Sequence, residues 1–400
     1  MRGLGDAGRR PGRLRIAVIA PSRHPLRQPH AGGLEAAVWD RVDSLRRRGH
    51  RVHLVAAAGS DFMADSPDAL HLPAAHWSGA VSSDTDYPEG YVAVAEAALD
   101  RALTHLRRHR ADFDVVENHS LHALPLVRAP HLGIPMVTTL HTPPLPAMVE
   151  AIREAGPDLG PVLAVSTHTA RAWHEHGVHA RVLPNAVDTA RWALGPGGED
   201  LVWFGRLVPE KGAHVAIRAA RLLGRRLVLA GRVGDAGYVR EEITPHLGDD
   251  VVHVGPLRQR DLAMLVGSSA CALVTPLWEE PFGLVLAEAL CTGTPVAAFD
   301  RGGVREVVAG SPGARLVSPG DVEGLAAAVA ALADPTRTAR ARIRAHALQR
   351  FSIERQLDEI VDLHRAAAAT PVTAQTPAVV PAASAAAPAV VLGDGDRVPA

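Results

Sequence analysis

The feature of this sequence that most restricts its fold is a repeated alternation of short apolar segments with longer amphipathic ones. The short segments are typical of buried strands, and longer ones such as 33–48 and 91–109 are typical of helices. The candidate strands of the first half are RIAVIA (15–20), RVHLVAA (51–57), FDVVE (113–117), PMVTTL (135–140) and VLAVS (162–166). Strands that alternate with helices form parallel sheets covered by helices, so this half predicts a doubly wound α/β domain.

The same alternation begins again after residue 199. The candidate strands of this second half are LVWFG (201–205), RRLVLAG (225–231), VVHVG (251–255), CALVTP (271–276) and PVAAF (295–299). The chain has 400 residues, which exceeds the size at which a single core usually keeps growing. The segment 186–199 contains GPGGE and has no periodicity, so we expect it to link two domains, 13–185 and 200–352, and to act as their hinge.

The remaining segments differ in composition from these two domains. Residues 59–90 are rich in Asp, Ser and Pro and predict a long insertion after the second strand. A helix is predicted at 353–367, where it follows the second domain and could cross back to the first. Residues 1–12 are expected to be flexible, and the Ala- and Pro-rich residues 368–400 predict a disordered tail.

Charge and cysteine content exclude several classes of function. The formal net charge of -1 gives no reason to expect nucleic acid as a partner. The two cysteines, Cys271 and Cys291, stand in apolar segments, which argues against a disulfide framework and a zinc site and favours a cytoplasmic location.

No segment approaches the roughly 20 apolar residues of a membrane-spanning helix. Arginines at 44–51 and 106–110 are compatible with weak peripheral contact at the inner membrane surface, or simply with compensation of helix dipoles.

The segment WEEPFGLVLAEAL, 278–290, places an acidic residue in a loop at the edge of the second predicted sheet. Pro281 biases Glu280 to extended geometry, so Glu280 should follow the strand CALVTP and precede a helix. Ligands bind doubly wound sheets at this carboxyl edge, and the first amides of the helix would face an anion there. The residues that would supply these amides are Phe282, Gly283 and Leu284. The alternative is that Glu280 only caps the helix.

Glu288 lies within that helix, among apolar residues on nearly every side. A buried carboxylate is costly unless hydrogen-bond donors reach it, and the hydroxyls of a sugar or ribose would do so. The alternative is that Glu288 pairs with a neighbouring arginine.

The segment FGRLVPEKGAH, 204–214, follows the first predicted strand of the second half. Arg206 and Lys211 stand five residues apart in a loop before a helix, and two cations at a helix N-terminus can bind a diphosphate without a metal. The alternative is an exposed loop whose charges are solvated.

Two features of the first half are weaker when each is taken alone. Gly32 and Gly33 precede a predicted helix and would let the backbone approach a ligand, or would simply form a flexible turn. The segment lacks the G-x-G-x-x-G of a dinucleotide site, which argues against an NAD enzyme. His141, in TLHTPP, falls just after a strand on the expected ligand edge. Four other histidines are interpreted as surface or packing residues and not as metal ligands: His119, His122, His174 and His176.

These segments, taken together and in this order, carry a resemblance. The set of Gly32-Gly33, HTPP, LPNAVD (183–188), GRLVPEKG and the Glu-x7-Glu pair of EPFGLVLAE resembles the retaining glycosyltransferases of family 4, also called group 1, with the GT-B fold. It extends from about residue 13 to about residue 365. One departure is Ala186, at a position where the family commonly has glycine, which puts the local turn in question.

The resemblance implies a role for each candidate residue. A nucleotide sugar would lie between the two domains, with Arg206 and Lys211 at its diphosphate and Glu288 at its ribose. Gly33 would approach the phosphate from the first domain. Glu280, with the amides of Phe282, Gly283 and Leu284, would hold the transferred sugar, and His141 would contact and orient that sugar. Catalysis would depend on His141, Glu280, Arg206 and Lys211.

The resemblance also implies transfer with retention of configuration and without a metal or other cofactor. The cation pair would neutralise the leaving group, and the acceptor hydroxyl would attack from the face that the phosphate leaves. Asp-x-Asp, a metal-binding sequence in other glycosyltransferases, occurs at 84–86, 112–114 and 394–396, and all three occurrences are discounted from their positions in the predicted fold.

Three alternatives use the same fold. An epimerase or hydrolase of sugar nucleotides needs an acid and base pair that is not evident. A phosphorylase-like enzyme needs a cofactor lysine, and the one lysine of the chain, Lys211, is already assigned. A non-catalytic sugar-nucleotide binding subunit predicts loss of at least one candidate residue, and all are present. A UDP-sugar is the expected donor from the family, and the acceptor is left open as a saccharide, a lipid or a small molecule.

Overall fold

The structure is a computed structural model that describes residues 12–75 and 87–370. The predictions for the flexible N-terminus and for the disordered tail therefore lie almost wholly outside the described residues, as does the middle of the predicted insertion. Within them the chain forms two sheets of parallel strands. The strands of the first sheet are β1 (Arg15–Ile19), β2 (Arg51–Ala57), β3 (His71–Leu72), β4 (Val115–Asn118), β5 (Met136–Leu140), β6 (Val162–Ala164) and β7 (Arg181–Val182). The helices of this half are α1 (Gly33–Arg47), α2 (Tyr91–Arg108), α3 (Leu124–Leu132), α4 (Pro146–Ala155) and α5 (Thr167–His174).

The second sheet repeats this plan. Its strands are β8 (Leu201–Phe204), β9 (Leu227–Ala230), β10 (Val251–His253), β11 (Cys271–Val274), β12 (Val296–Phe299) and β13 (Ala314–Val317). Its helices are α6 (Ala213–Leu222), α7 (Ala236–Tyr238), α8 (Gln259–Gly267), α9 (Leu284–Cys291), α10 (Val304–Val308), α11 (Val322–Leu332) and α12 (Arg337–Phe351). A last helix, α13 (Ile353–Ala369), follows them.

The order of the strands places a crevice at one edge of each sheet. The described strands of the first sheet run β3-β2-β1-β4-β5-β6-β7, and those of the second run β10-β9-β8-β11-β12-β13. Ile16 of β1 pairs with Val52 of β2 on one side and with Val115 of β4 on the other. Successive strands are therefore added on one side of β1 up to β3 and on its other side from β4 onward. The same change of side occurs at β8, which lies between β9 and β11. Ligands of doubly wound sheets bind at such switch points, beyond the carboxyl ends of the strands.

All ten strands expected from the sequence are present, within a few residues of their predicted ends. Three strands were not expected: β3, β7 and β13. The first two are only two residues long, so they carry no periodic pattern, and β13 contains an arginine and is only partly buried at a sheet edge. The predicted insertion therefore contributes β3 to the first sheet through its described part.

The segment predicted as a hinge is packed against the second half. Trp192 is fully buried, and its ring centroid lies 6.2 Å from that of Phe204. A Cβ at Gly195 would lie 2.1 Å from the carbonyl oxygen of Gly267, so glycine is required there for close approach of two backbones. The GPGGE sequence, interpreted as part of the link between the domains, makes this contact.

The last helix leaves the second half and packs on the first. Leu357 and Ile360 of α13 are fully buried and share a core with Ile16 and Leu54 of the first sheet. The helix ends at Ala369, two residues beyond the predicted boundary of the tail.

Three arginines of segment 44–51, Arg46, Arg47 and Arg48, have partners within the molecule. Arg46 pairs with Asp65 at 2.8 Å, and Arg48 pairs with Glu354 of α13 at 2.7 Å. This pairing favours the interpretation in which the arginines serve the fold over contact with a membrane surface. In the ranges that the structure describes, no helix has both the length and the apolar content needed to cross a bilayer.

Candidate active site

One cleft, with a volume of about 250 Å³, lies between the carboxyl edges of the two sheets. Every site residue predicted from the sequence lines it. From the first half these are Gly32, Gly33 and His141, and from the second half they are Arg206, Lys211, Glu280, Phe282, Gly283, Leu284 and Glu288. The fold thus brings together residues as far apart in the chain as Gly32 and Glu288.

The loops of the two halves meet at Gly32. A Cβ at this position would lie 3.6 Å from Cδ of Arg206 and 3.1 Å from Oε2 of Glu35. A Cβ at Gly33 would lie 3.9 Å from Cβ of Leu284, so the first residues of α1 and α9 face each other. Two helix N-termini and a buried guanidinium therefore border the same space, and each favours an anion there.

Lys211 and Glu280 are bound to each other. The Lys211 Nζ donates to Oε2 of Glu280 at 2.6 Å and lies 4.8 Å from the centre of the Trp278 ring. The indole N–H of Trp278 donates to the same carboxylate oxygen at 3.0 Å. Trp278 was not predicted as a site residue. Its position beside Lys211 and Glu280 depends on the conformation of the 276–283 loop.

The structure contradicts the alternative interpretations of the two glutamates. The residue before α9 is Gly283, and no side chain caps this helix, so Glu280 does not cap it. Glu288 is buried, with 7% of its surface exposed, and among the described residues its carboxyl makes no hydrogen bond or ion pair, including none with an arginine. Burial, with a smaller contribution from Asp40, raises the pKa of Glu288 to about 8. The carboxyl of Glu288 can therefore accept hydrogen bonds inside the cleft, and none of the described residues donates one.

His141 lies opposite, at the end of β5, and is paired with a second histidine. Its Nε2 lies 2.9 Å from Nδ1 of His119. Burial, followed by the neighbouring His119, holds the pKa of His141 well below its usual range. His119 had been interpreted as a surface or packing residue and is instead buried in contact with a candidate site residue, so that interpretation was incomplete. His119 directly follows β4, just as His141 directly follows the neighbouring strand β5. This equivalent position after a strand was the signal available in the sequence.

The other three histidines do not line the cleft. His122 is buried, and its Nε2 lies 2.8 Å from the hydroxyl of Ser22, whereas His174 and His176 are exposed. In residues 12–75 and 87–370, no group of three or more His, Cys, Asp or Glu side chains is arranged to hold a metal ion. Asp114 precedes β4 and pairs with Arg15 at 2.7 Å, at the sheet edge opposite the cleft. The Asp-x-Asp sequences at 84–86 and 394–396 lie outside the described residues.

The two halves are also joined beside the cleft. The backbone amides of Thr167 and His168, at the start of α5, donate to the carboxylate of Glu306 at 2.7 and 2.6 Å. The hydroxyl of Ser166 donates to the carbonyl of Pro281 at 2.6 Å. The loop that carries Glu280 is therefore held from the opposite half. No local pattern in the sequence predicts this contact, because its partners are more than 100 residues apart.

Comparison with known proteins places the chain in one family. A family model described as Glycosyltransferase Family 4 matches residues 31–191, and one described as Glycosyl transferases group 1 matches residues 198–334. The D-inositol 3-phosphate glycosyltransferase of Mycolicibacterium smegmatis is 27% identical over 394 residues, covering 87% of this chain and 90% of the relative. A glycogen synthase of Mycobacterium tuberculosis is 31% identical over 268 residues, covering 58% of this chain and 63% of the relative.

Solved structures show the same architecture. Anabaena HepE, in a crystal structure with UDP, aligns with a TM-score of 0.68 at 22% identity, covering 88% of this chain and 100% of HepE. The sucrose-phosphate synthase of Thermosynechococcus elongatus aligns with a TM-score of 0.66 at 21% identity, covering 88% and 99% of the two chains. With its two parallel-sheet domains around one cleft, the chain has the GT-B fold, and it belongs to the family 4, group 1 glycosyltransferases.

Proposed function

We propose that this glycosyltransferase moves a sugar from a UDP-sugar to an acceptor hydroxyl, with retention of configuration and without a metal ion. The observation that carries the proposal is the convergence in one cleft of Arg206, Lys211 and the N-termini of α1 and α9, with the partnerless carboxyl of Glu288 on the same wall. HepE, which shares the fold, has been crystallised with UDP-glucose, and this supports UDP as the nucleotide.

Glu288 is the receptor for the ribose in this proposal. Its carboxyl accepts no hydrogen bond from the described residues, and the two hydroxyls of a ribose are donors that match it. Binding would convert a buried group with an unmet acceptor into a satisfied one, which favours a nucleotide over a bare phosphate.

Arg206 and Lys211 receive the diphosphate. As the bond from the sugar C1 to the phosphate oxygen breaks, negative charge accumulates on the departing UDP. The guanidinium, the ammonium and the free amides at the start of α9 already border the place where this charge forms. A pair of fixed cations performs the neutralisation that a divalent metal would otherwise supply, which is the reason to propose metal-independent transfer.

Glu280 and His141 border the space next to the diphosphate, where the sugar would lie. Glu280 is held by Lys211 and Trp278, so it is suited to accept hydrogen bonds from sugar hydroxyls rather than to attack C1. Retention then follows from attack by the acceptor hydroxyl on the face from which UDP leaves. The new bond joins the acceptor oxygen to C1, the bond to the phosphate breaks, and the proton of the hydroxyl passes to a phosphate oxygen of UDP.

Calorimetry with UDP, GDP and ADP in the presence of EDTA tests the donor. We expect UDP to bind without metal and Glu288→Ala to weaken this binding. Absence of binding by every nucleotide in EDTA, or an unchanged affinity in Glu288→Ala, would contradict the assignment of the cleft.

Transfer itself is tested by UDP release from UDP-sugars in the presence of candidate acceptors. Inositol phosphate is the first acceptor to try, because relatives that align over most of their length are named for it. The configuration of the product at C1, read by NMR, then decides between retention and inversion.

A further inference from the structure

A line of three side chains, a half-buried one and two buried ones, leads from the cleft into the first domain. His141 Nε2 lies 2.9 Å from His119 Nδ1, and the other ring nitrogen of His119 lies 3.8 Å from Oε2 of Glu117. His119 and Glu117 are 3% and 1% exposed, so neither is within reach of bulk water. His141 is the member of the line that also lines the cleft.

Glu117 is charged, because other groups hold it so. Burial alone would raise the pKa of its carboxyl. The guanidinium of Arg41, whose NH1 donates to Oε1 at 2.7 Å, acts together with His364 and His119 to outweigh burial and keep this pKa well below its usual range. His364 of α13 contributes a ring nitrogen 3.4 Å from the same oxygen. Gln356, also of α13, accepts a hydrogen bond from Arg41 at 2.6 Å.

The carboxylate of Glu117 lies 3.8 Å from His119 Nε2, beyond hydrogen-bond distance, and its charge favours one placement of the protons on the two histidines. A ring nitrogen that faces a carboxylate is favoured as N–H, because a lone pair there would be repelled, so His119 carries its proton on Nε2. Its Nδ1 is then an acceptor, and His141 must donate to it from Nε2. This leaves Nδ1 of His141 without a proton, and that nitrogen has no hydrogen-bond partner among the described residues.

We propose that His119, oriented by Glu117, is a positioning residue that holds His141 in the Nε2–H form, so that Nδ1 of His141 accepts a hydrogen bond from a hydroxyl of the transferred sugar. This inference rests on the proposed function, because it takes the sugar to lie against His141. It assigns a specificity: the sugar must carry a donor hydroxyl at the position facing His141. It also gives His119 and Glu117 a part in the reaction although neither touches the substrate.

The tautomer of His141 can be measured directly in the unsubstituted protein. Two-bond proton–nitrogen correlation spectra of the histidine-labelled protein distinguish the two neutral forms, and the His141 signals are those absent from His141→Gln. We expect the Nε2–H form. The Nδ1–H form would overturn the proposal, and this result does not depend on activity or on any His119 variant.

Substitutions at His119 test the consequence for catalysis. Asn places its carbonyl oxygen near the position of Nδ1 and keeps the acceptor, whereas Leu removes it at similar volume. We expect His119→Leu to lower kcat about tenfold, the scale of one hydrogen bond to a neutral group, while the Kd for UDP is unchanged. His119→Asn should recover most of the loss. Equal losses in both variants would show that His119 only packs and would overturn the proposal.

His122→Asn is the matched control, because His122 is another buried histidine of the same loop whose hydrogen bond to Ser22 leads away from His141. A tenfold loss of kcat in this control would also count against a particular role for His119.

A series of donors, each lacking one sugar hydroxyl, completes the test. One donor should lose turnover with the unsubstituted enzyme and lose little more with His119→Leu, because both changes remove the same hydrogen bond. Additive losses for every donor would overturn the proposal. Failure of the unsubstituted protein to bind UDP would instead overturn the proposed function, and the tautomer measurement would still stand.

Discussion

The two walls of the cleft are built in different ways. The wall from the second half consists of charged residues in two short sequence segments, 204–214 and 278–290, each placed directly by a strand that ends at the cleft. The wall from the first half depends on His141, which contacts His119 directly after β4. Glu117 of β4, which lies near His119, is in turn contacted by Arg41 of α1 and His364 of α13. Charged loops after strands can be recognised locally, whereas a histidine acquires its properties from groups that are distant along the chain. The following predictions test this difference.

The largest effect is expected on the wall formed by the second half. Lys211→Met removes the cation that we propose to lie beside the diphosphate and should lower kcat about 100-fold or more, the usual cost of removing one preorganised group that stabilises developing charge. Arg226→Met is the control, because Arg226 pairs with Asp200 at 2.7 Å at the start of β9, away from the cleft. Steady-state rates of UDP release measure both, and near-normal turnover in Lys211→Met would place the leaving group elsewhere.

A smaller effect is expected from Glu288, where pH provides a second readout. Its carboxyl has a pKa of about 8 in the free protein, so it is mostly protonated at pH 7. Donation by ribose hydroxyls stabilises the carboxylate and lowers this pKa, so UDP binding at pH 7 should release protons. Calorimetry in buffers of different ionisation enthalpy measures the release.

Glu288→Gln should abolish this proton release and weaken UDP binding about tenfold. An equal release in Glu288→Gln would assign the titration to another group. Asp40 is the nearest candidate, since burial raises its pKa to about 7.

A contact between the two walls should have a moderate effect. Glu306→Ala leaves the amides of Thr167 and His168 without their acceptor and should lower the free energy of unfolding by about 1 kcal/mol, with weaker UDP binding because the adjacent Glu280 loop is less firmly held. Glu323→Ala, in the exposed first turn of α11, is the control within one half. If Glu306→Ala and Glu323→Ala change the free energy of unfolding and UDP binding equally, the contact between the halves contributes no more than a charged residue at the start of a helix.

The smallest effect, a change in the free energy of unfolding, is expected at Ala186, where the chain passes from the first half to the second. Among the described residues other than glycine, positive φ is confined to Phe62 and Asp334, so the turn at Ala186 does not require glycine. Ala186 is buried, and Ala186→Gly should lower the free energy of unfolding by about 0.5–1 kcal/mol in urea titrations. A gain in stability would show that the turn still favours glycine.

Much of the fold was accessible from the sequence because buried parallel strands carry a strong apolar signal. The ten expected strands were found for this reason, and β3 and β7 were missed because two residues cannot carry a pattern. The packing of residues 186–199 was not foreseen, because a glycine needed for close packing, such as Gly195, looks in the sequence like a glycine of a flexible linker.

The candidate site divides in the same way. Arg206, Lys211, Glu280 and Glu288 were placed in the cleft from two segments, because each segment follows a strand of the second sheet. The ion pair between Lys211 and Glu280 was not foreseen, since it depends on how two loops fold against each other. The roles of these residues remain predictions that the experiments above address.

The return of α13 to the first domain has a consequence for synthesis of the protein. Arg41 hydrogen-bonds to Gln356, 315 residues later in the chain, and Glu117 receives His364 from the same helix. A ribosome must therefore translate both domains before Arg41 and Glu117 can acquire these partners. A nascent chain that has folded its second half could capture nucleotide, but it would lack the finished first wall. The order of translation thus makes the partners of Glu117 available only after the strands of both sheets have been synthesised.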